Sequence, residues 1–293
     1  AAASPLLAGP QDETARAVFQ PGRISPVDEL VSAFEFEEVA RKKLPETLYN
    51  HIAGGAGAEQ TLRRNRKFFE RITFRPRMLV DVSEMDLSIQ LFGDKLSAPI
   101  LVGPSADHGR LHADAEDATV RGAGSAASAV VISRRSSHPI DEIVAQASTP
   151  VWFQTDAEAE NAIIRSEVKS AAAAGCRVIC LAIGIRRPGV LERDIHSRRI
   201  IAGTEIVEGL ERTGSVGAWP PNPTRLRERG GPQLAWSLID RVKEWSGLPV
   251  ILKGVMSRDE ASQAVANGID ALVISNYGGR TIDGVSATIE VLP

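Results

Sequence analysis

The chain has 293 residues, of which 43% are hydrophobic and 24% are charged, and its formal net charge is -3. This composition is ordinary for a globular protein, and the length suits one large domain or two smaller ones. The small negative charge gives no reason to expect nucleic acid or an anionic membrane as a partner. No apolar run approaches the roughly 20 residues that span a bilayer, so we expect no transmembrane segment.

The first 30 residues are rich in Ala, Pro and Gly. We predict a tail or surface arm over residues 1–30, followed by one domain over residues 31–293. The opening stretch, Ala1–Gly9, fits either the remainder of a cleaved export signal or a plain disordered tail. The sequence therefore leaves open whether the protein is periplasmic or cytoplasmic.

Helical spacing of apolar residues dominates the next part of the chain. The pattern extends from Phe34 to Ile52, and Pro45 is predicted to start a second helix within it. Gly54-Gly55 ends that helix, and Glu59–Phe69 predicts another.

From Pro99 onward, short apolar runs alternate with amphipathic stretches, which is typical of a parallel sheet covered by helices on both faces. The predicted strands are Ile100–Gly103, Ala129–Ser133, Val151–Gln154, Arg177–Ile183, Val250–Lys253 and Ala271–Ser275. The predicted helices are Ala115–Ala127, Ile140–Ala147, Ala157–Ala174, Gln233–Trp245 and Arg258–Ala266. The stretch Asp194–Gly231 is rich in Arg, Gly and Pro and predicts a long loop.

About six such strands with helices between them indicate an α/β fold of the (β/α)8 barrel type, apparently incomplete, with helices at its N-terminus. An open, doubly wound sheet is the other architecture that this number of strands allows. The two cysteines, Cys176 and Cys180, lie at and within the fourth apolar run. We predict buried free thiols, because their spacing does not suit a local disulfide.

Several segments from about Phe34 onward carry a family resemblance. They are Ala40-Arg41-Lys42-Lys43-Leu44-Pro45, Ala53-Gly54-Gly55-Ala56, Phe74-Arg75-Pro76-Arg77-Met78-Leu79-Val80-Asp81-Val82, Ala98-Pro99-Ile100-Leu101-Val102-Gly103-Pro104, Leu252-Lys253-Gly254-Val255 and Ser275-Asn276-Tyr277-Gly278-Gly279-Arg280-Thr281-Ile282-Asp283. In these segments the chain resembles the FMN-dependent α-hydroxy acid oxidases and dehydrogenases, among them glycolate oxidase, lactate oxidase and mandelate dehydrogenase. The resemblance implies a (β/α)8 barrel with FMN held at the carboxyl ends of the strands.

We expect no metal site, because His108, His112 and His138 lack ligand spacing. The resemblance also implies a set of flavin contacts. The matching residues are Pro104, Ser105, Ala106, Ser133, Gln154 and Lys253. The first three belong to a segment whose backbone lines the flavin ring. The other three contact its pyrimidine edge and supply a positive charge near N1. Ala182 stands where the family has a threonine, so one hydroxyl contact is missing.

The substrate side departs from the family pattern. Tyr277 stands at the position of the histidine that abstracts a proton. Tyrosine has an ordinary pKa near ~10, so it is a poor proton acceptor at neutral pH. Arg280 is retained as a carboxylate-binding arginine. The other departures are Asp156 and His51 for two tyrosines, Gly184 for the aspartate that pairs with the histidine, and Leu191 for a second arginine, with Arg186 and Arg187 as nearby replacements.

In the family, loops after the seventh and eighth strands hold the FMN phosphate, and the chain stops before both. We therefore expect FMN as the candidate cofactor, without its main anion-binding site. An incomplete barrel would expose the edges of Ile100–Gly103 and Ala271–Ser275. We expect another protein chain, or a second copy of this one, to cover them.

Three hypotheses remain from the sequence. The first is a degenerate relative that has lost the hydroxy acid chemistry and persists as a binding or structural subunit. The second is an active FMN-dependent oxidoreductase that oxidises a small L-2-hydroxy acid to a 2-oxo acid, with Asp156 or His51 as the base. The third is a barrel in which Gly278-Gly279 and Arg280 hold a phosphate. A flavin spectrum that is bleached by a hydroxy acid would decide for the second.

Overall fold

The computed structural model describes residues 26–184, 189–201 and 235–293. The chain divides into two compact units, Ala1–Ala53 and Gly54–Pro293. The predicted tail over residues 1–30 stays a prediction, because most of it lies outside the described ranges. No helix in those ranges is both long enough and apolar enough to cross a membrane.

The first unit contains helix α1 (Ala33–Lys43) and helix α2 (Glu46–Ala53). At the start of α1, the Glu35 carboxylate accepts a hydrogen bond of 2.7 Å from the backbone N–H of Ser32. This contact satisfies one of the amides that a helix leaves without an internal partner. The chain leaves the helix at Leu44, and α2 begins directly after Pro45, as the sequence predicts.

The second unit holds the remaining described α-helices and all the described strands. The helices are α3 (Gln60–Lys67), α4 (Ala115–Ser125), α5 (Ile140–Gln146), α6 (Asn161–Ala174), α7 (Glu192–Ile201), α8 (Ser237–Ser246), α9 (Arg258–Ala266) and α10 (Thr288–Val291). The strands are β1 (Ile89–Leu91), β2 (Asp94–Leu96), β3 (Val130–Ser133), β4 (Val151–Asp156), β5 (Ile179–Ala182), β6 (Val250–Val255) and β7 (Ala271–Ile274).

The main sheet is parallel and has the order β3-β4-β5-β6-β7. Each strand lies beside its predecessor, and helices connect them, as in one arc of a barrel. The short strands β1 and β2 form a separate antiparallel hairpin. The apolar pattern of the sequence does not predict this hairpin.

The predicted strand Ile100–Gly103 is wrong as a regular strand. In the structure this run forms one isolated bridge, between Val102 and Val130. Two backbone hydrogen bonds of 2.9 Å hold it, from Val102 to Ala129 and from Val131 to Val102. Pro99 and Pro104 border the run and cannot donate to a ladder, which leaves few residues to pair.

The predicted loop Asp194–Gly231 is wrong over its first part. Helix α7 covers Glu192–Ile201, and residues 202–234 lie outside the described ranges. Glu192 and Asp194 in the first turn favour a helix start, although arginines and glycines dominate the composition further along. The predicted helix Ala157–Ala174 also begins later, at Asn161.

The sheet has two apolar faces. Its outer face packs against the helices, in a cluster that includes Phe153, Ile164, Leu181 and Val242. Its inner face forms a second cluster with the β1–β2 hairpin. The members of that second cluster are Leu96, Ala129, Val131, Trp152, Val178, Cys180 and Ile251, with Ile89, Leu91 and Phe92 packed against it. Side chains alternate between the two faces along each strand, as the period of a strand requires.

Both cysteines are buried free thiols, as predicted. Burial raises the pKa of Cys176 and of Cys180 to about 12. Both therefore behave as small apolar core residues rather than as reactive groups.

Candidate functional site

Three of the predicted flavin contacts meet at the carboxyl end of the sheet. Ser133 is the last residue of β3 and pairs in register with Gln154 on β4, and Lys253 lies near the end of β6. The residues two positions earlier on these strands belong to the inner apolar cluster; they are Val131, Trp152 and Ile251. Because residues two apart share a face, all three polar side chains project to the inner side of the sheet.

Gln154 carries an unsatisfied acceptor. Its side chain is buried, and its Oε1 atom has no hydrogen-bond partner among the described residues. Ser133 beside it is also buried, and its Oγ accepts a hydrogen bond of 3.2 Å from the Arg135 backbone. A buried amide oxygen without a donor is costly, and a bound N–H group would remove that cost.

Lys253 is partly buried between polar and aromatic neighbours. Its Nζ lies 3.3 Å from Ser275 Oγ and 3.8 Å from the centroid of the Tyr277 ring. Burial lowers the pKa of Lys253, while the nearby Cys180 and Asp156 act in the opposite direction. The side chain brings a cation to the inner face at the level where the strands end.

Tyr277, at the position of the expected histidine, is held by backbone atoms. Its hydroxyl donates to the carbonyl oxygen of Ile183 and also lies 3.0 Å from that of Lys253. Burial is the largest of the causes that raise the pKa of Tyr277 far above its usual value. A phenol in this setting does not accept a proton at neutral pH.

Because Gly254 has no side chain, there is space beside it for the Tyr277 hydroxyl. A Cβ at Gly254 would collide with the Ile183 carbonyl oxygen and lie 2.8 Å from the tyrosine oxygen. The φ angle of Gly254 is +117°, which side-chain-bearing residues rarely adopt. Gly184, at the position of the expected aspartate, also has a positive φ, and a Cβ there would lie 3.9 Å from the Tyr277 ring.

Arg280 follows the short helical turn Tyr277–Gly279. Its Nη1 donates a hydrogen bond of 2.8 Å to the Gly54 carbonyl, and burial lowers its pKa. The Gly279 carbonyl accepts from Ala56 at 2.8 Å, which attaches this turn to the start of the second unit. The predicted carboxylate ligand is therefore anchored to the backbone at one nitrogen.

Asp156 is the last residue of β4. It lies on the same face of the strand as Gln154, which precedes it by two residues. Arg134 Nη1 lies 3.6 Å from its carboxylate, and the same arginine bonds to Glu167 at 2.6 Å. Burial raises the pKa of Asp156, against the lowering effect of Arg134. Among the described acids at the strand ends, Asp156 is the one whose pKa is raised.

The other predicted positions lie on a loop, on other elements or outside the described residues. Pro104, Ser105 and Ala106 lie on the loop after Val102, with Ser105 and Ala106 exposed. Ala182 ends β5 without a polar atom in its side chain, and Leu191 precedes α7. His51 lies on α2 of the first unit, so it is described with that unit alone. Arg186 and Arg187 lie outside the described residues.

Glu116 is a buried acid that the sequence analysis missed. It is 1% exposed and bonds to the backbone of two loops at this end of the sheet. Its position in the first turn of α4 is ordinary for an acid, so the sequence offers no signal of burial. Within the described ranges, no group of three or more His, Cys, Asp or Glu residues is arranged to hold a metal ion.

Comparison with known proteins finds similarity to FMN-dependent dehydrogenases. Residues 40–293 match the sequence family described as FMN-dependent dehydrogenase. The chain is 33% identical over 267 residues to peroxisomal (S)-2-hydroxyacid oxidase GLO3 of Arabidopsis thaliana, covering 91% of this chain and 74% of the relative. It is also 33% identical over 276 residues to L-lactate oxidase of Nostoc sp., covering 90% of this chain and 74% of the relative.

A solved structure of mandelate oxidase superposes on this fold with a TM-score of 0.75 at 29% identity. The match covers 90% of this chain and 74% of that chain. The structural neighbours are barrel flavoproteins, and the described strands correspond to part of such a barrel. The predicted fold class is therefore confirmed.

Proposed function

Because the chain belongs to the family of FMN-dependent dehydrogenases, we propose that it is a degenerate member that binds a flavin without the parental activity. In this proposal it serves as a binding or structural subunit. The single observation that carries the proposal is the Tyr277 hydroxyl, which bonds to backbone carbonyl oxygens where the family has its proton-abstracting histidine.

The inner face of the sheet fits the pyrimidine edge of a flavin. The buried Gln154 Oε1, which has no partner among the described residues, would accept a hydrogen bond from a ring N–H. Ser133 would add a hydroxyl beside it, and Lys253 would place a cation near N1. Pro104, Ser105 and Ala106 would supply backbone along the ring. In an active member of the family, bound FMN would supply the acceptor for the hydride of a hydroxy acid.

Oxidation of a hydroxy acid also requires a group that takes up the hydroxyl proton. Tyr277 cannot take it up, because its pKa is raised and its hydroxyl already donates to a carbonyl. Gly184 offers no carboxylate to orient a base at this position. Arg280 remains as a group that would bind a small carboxylate. Binding of a 2-hydroxy acid without turnover is therefore part of the proposal.

The partner in this proposal is another protein chain or a second copy. Within the described chain, β7 pairs only with β6, and its residues are partly buried, whereas every residue of β5 is buried. A segment between Phe69 and Leu87 exposes large apolar side chains, with Phe74 98% and Met78 84% exposed. Surfaces of this kind are stabilised when a partner covers them.

The test uses the purified protein as it exists, mixed with FMN and titrated by fluorescence quenching. The proposal expects a flavin complex whose visible spectrum is unchanged by anaerobic glycolate, lactate or mandelate. Absence of FMN binding would contradict it, and so would bleaching at rates typical of the family. Tyr277→His and the double variant Tyr277→His/Gly184→Asp serve as matched comparisons, because both add back the residue types of the family.

The second candidate is an active oxidoreductase that oxidises a small L-2-hydroxy acid with Asp156 as its base. The observation in its favour is the raised pKa of Asp156, because a carboxyl with a higher pKa is a stronger base once ionised. Flavin reduction by a hydroxy acid that is lost in Asp156→Asn but kept in Tyr277→Phe would select this candidate.

A further inference from the structure

Two neighbouring loops at the carboxyl end of the sheet are joined by hydrogen bonds. We call residues 103–112, after Val102, the first loop and residues 134–139, after β3, the second loop. The Asp107 amide donates to the Arg135 carbonyl at 2.9 Å, and the Gly109 amide donates to Ser137 Oγ at 2.8 Å. These contacts fix the first loop against the second.

One buried carboxylate bonds to both loops. Glu116 Oε1 accepts from the His108 amide of the first loop at 3.2 Å, and Oε2 accepts from the Ser137 amide of the second loop at 3.0 Å. Glu116 is 1% exposed. Its two oxygens thus divide between two βα units, although the residue belongs to α4.

The environment of Glu116 explains why an acid is tolerated there. Burying a carboxylate is costly unless hydrogen bonds replace its water. The two loop amides supply such bonds, and the N-terminus of α4 favours negative charge in its first turn. A residue that only capped its own helix would bond to amides of α4, whereas the amides that Glu116 contacts lie in the two loops.

The loops held by Glu116 are those that carry proposed flavin contacts. The first loop contains Pro104, Ser105 and Ala106, and the second follows Ser133 directly. We infer that Glu116 is a positioning residue, which keeps the two loops in the arrangement that receives the flavin ring. This inference rests on the proposed flavin binding, and it adds a residue that touches neither flavin nor substrate.

The test compares Glu116→Gln with Glu142→Gln. The first variant replaces one acceptor by an NH2 group, which cannot accept from a loop amide. The second removes the same charge from an exposed position in the first turn of α5. Hydrogen exchange is measured by mass spectrometry on peptides covering His108, Ser137 and the β5 core, before FMN is added, and the FMN dissociation constant is measured next.

In Glu116→Gln we expect exchange in both loops to be faster by about tenfold, with the β5 peptides unchanged. We expect the FMN dissociation constant to rise by about tenfold, and Glu142→Gln to match the wild type in both measurements. Should Glu116→Gln not fold, Glu116→Asp replaces it, because a carboxylate one methylene shorter cannot reach both amides.

Unchanged loop exchange overturns the inference, and so does faster exchange with an unchanged FMN affinity. If the wild type itself binds no FMN, the proposed function fails, and with it the flavin role of Glu116. The exchange data then still decide whether Glu116 holds the loops, so the two failures are distinguishable.

Discussion

Tyr277 has a hydroxyl that bridges the ends of two neighbouring strands. It donates to the Ile183 carbonyl after β5 and lies 3.0 Å from the Lys253 carbonyl of β6. Its ring also lies 3.8 Å from Lys253 Nζ. Tyr277 thus links two strand ends by hydrogen bonding and packing, so we expect it to matter for stability.

Tyr277→Phe tests that expectation. Losing the hydroxyl removes the bond to the Ile183 carbonyl, while the Lys253 carbonyl still accepts from the Ile183 amide at 2.8 Å. We therefore expect unfolding to become easier by about 1–2 kcal/mol, with FMN affinity changed less than about twofold. Denaturant unfolding measures the first quantity. The matched control is Tyr49→Phe, because the Tyr49 hydroxyl makes an exposed contact of 3.2 Å with Glu37. Equal effects of the two substitutions would contradict the bridging role.

Asp156 predicts a pH dependence. Burial raises its pKa, so the folded protein binds this proton more readily than the unfolded chain does. The burial cost is absent below the unfolded pKa of about 3.9 and develops as pH rises through the higher folded pKa. We therefore expect Asp156→Asn to gain stability relative to the wild type between about pH 3 and pH 7.

The measurement is the unfolding free energy of both proteins at a series of pH values, taken as a difference so that other carboxyls cancel. A difference that stays constant would mean that burial and Arg134 cancel, and one that falls with rising pH would mean that Arg134 outweighs burial; either contradicts the expectation. Arg134 also forms an ion pair with Glu167 at 2.6 Å, so we expect it to keep a partner in Asp156→Asn.

At the scale of elements, the end of β6 depends on a glycine. Gly254→Ala forces a methyl group toward the Ile183 carbonyl at a φ of +117°. We expect a loss of about 3 kcal/mol or more in unfolding free energy, since strain and overpacking combine. Thermal and denaturant unfolding measure it.

Gly122→Ala is the matched control, and there we expect the unfolding free energy to rise rather than fall. Gly122 is exposed within α4, and nothing lies within 4 Å of an added Cβ. Because alanine favours a helix interior over glycine, we expect a gain of about 0.5–1 kcal/mol. A loss at Gly122 as large as that at Gly254 would mean that local strain does not explain the Gly254 effect.

Periodicity alone predicted most of the elements, since β3–β7 are continuous apolar runs flanked by amphipathic helices. It failed for Ile100–Gly103, where prolines shorten the pairing, and for β1–β2, whose three-residue strands include Gln90, Asp94 and Lys95. Such short polar strands form because they pack on the inner face of the sheet, which no local pattern shows.

For the site, the sequence predicted which residue types lie at the strand ends, but not which groups they contact. Motif order located Ser133, Gln154 and Lys253, and strand register then brings Ser133 and Gln154 together. The bonds from Tyr277 to two carbonyls and from Glu116 to two loops depend on backbone positions far apart in the chain. Such contacts are not visible in the sequence, because the partners of both side chains are backbone groups, whose positions no residue type reveals.

At the scale of the whole molecule, the apolar segment between Phe69 and Leu87 is the most exposed hydrophobic feature described. We predict that the wild type associates reversibly as its concentration rises, which analytical ultracentrifugation measures. The triple variant Phe74→Ser/Met78→Ser/Leu79→Ser should associate less with no loss of stability, because all three side chains are exposed.

Val265→Ser is the control, because Val265 is 66% exposed on α9, away from that segment in sequence. It should associate like the wild type. A wild-type protein that stays monomeric at every concentration would argue against a partner-covered surface.

The β1–β2 hairpin has a consequence for access to the interior. Phe92 at its turn meets Trp152 edge to face at 5.5 Å, and Leu96 is buried against the amino-terminal half of the sheet. The hairpin therefore covers the amino-terminal end of the inner face of the sheet. Because the hairpin covers this end of the inner face, we expect a small molecule to approach Gln154 from the carboxyl ends of the strands.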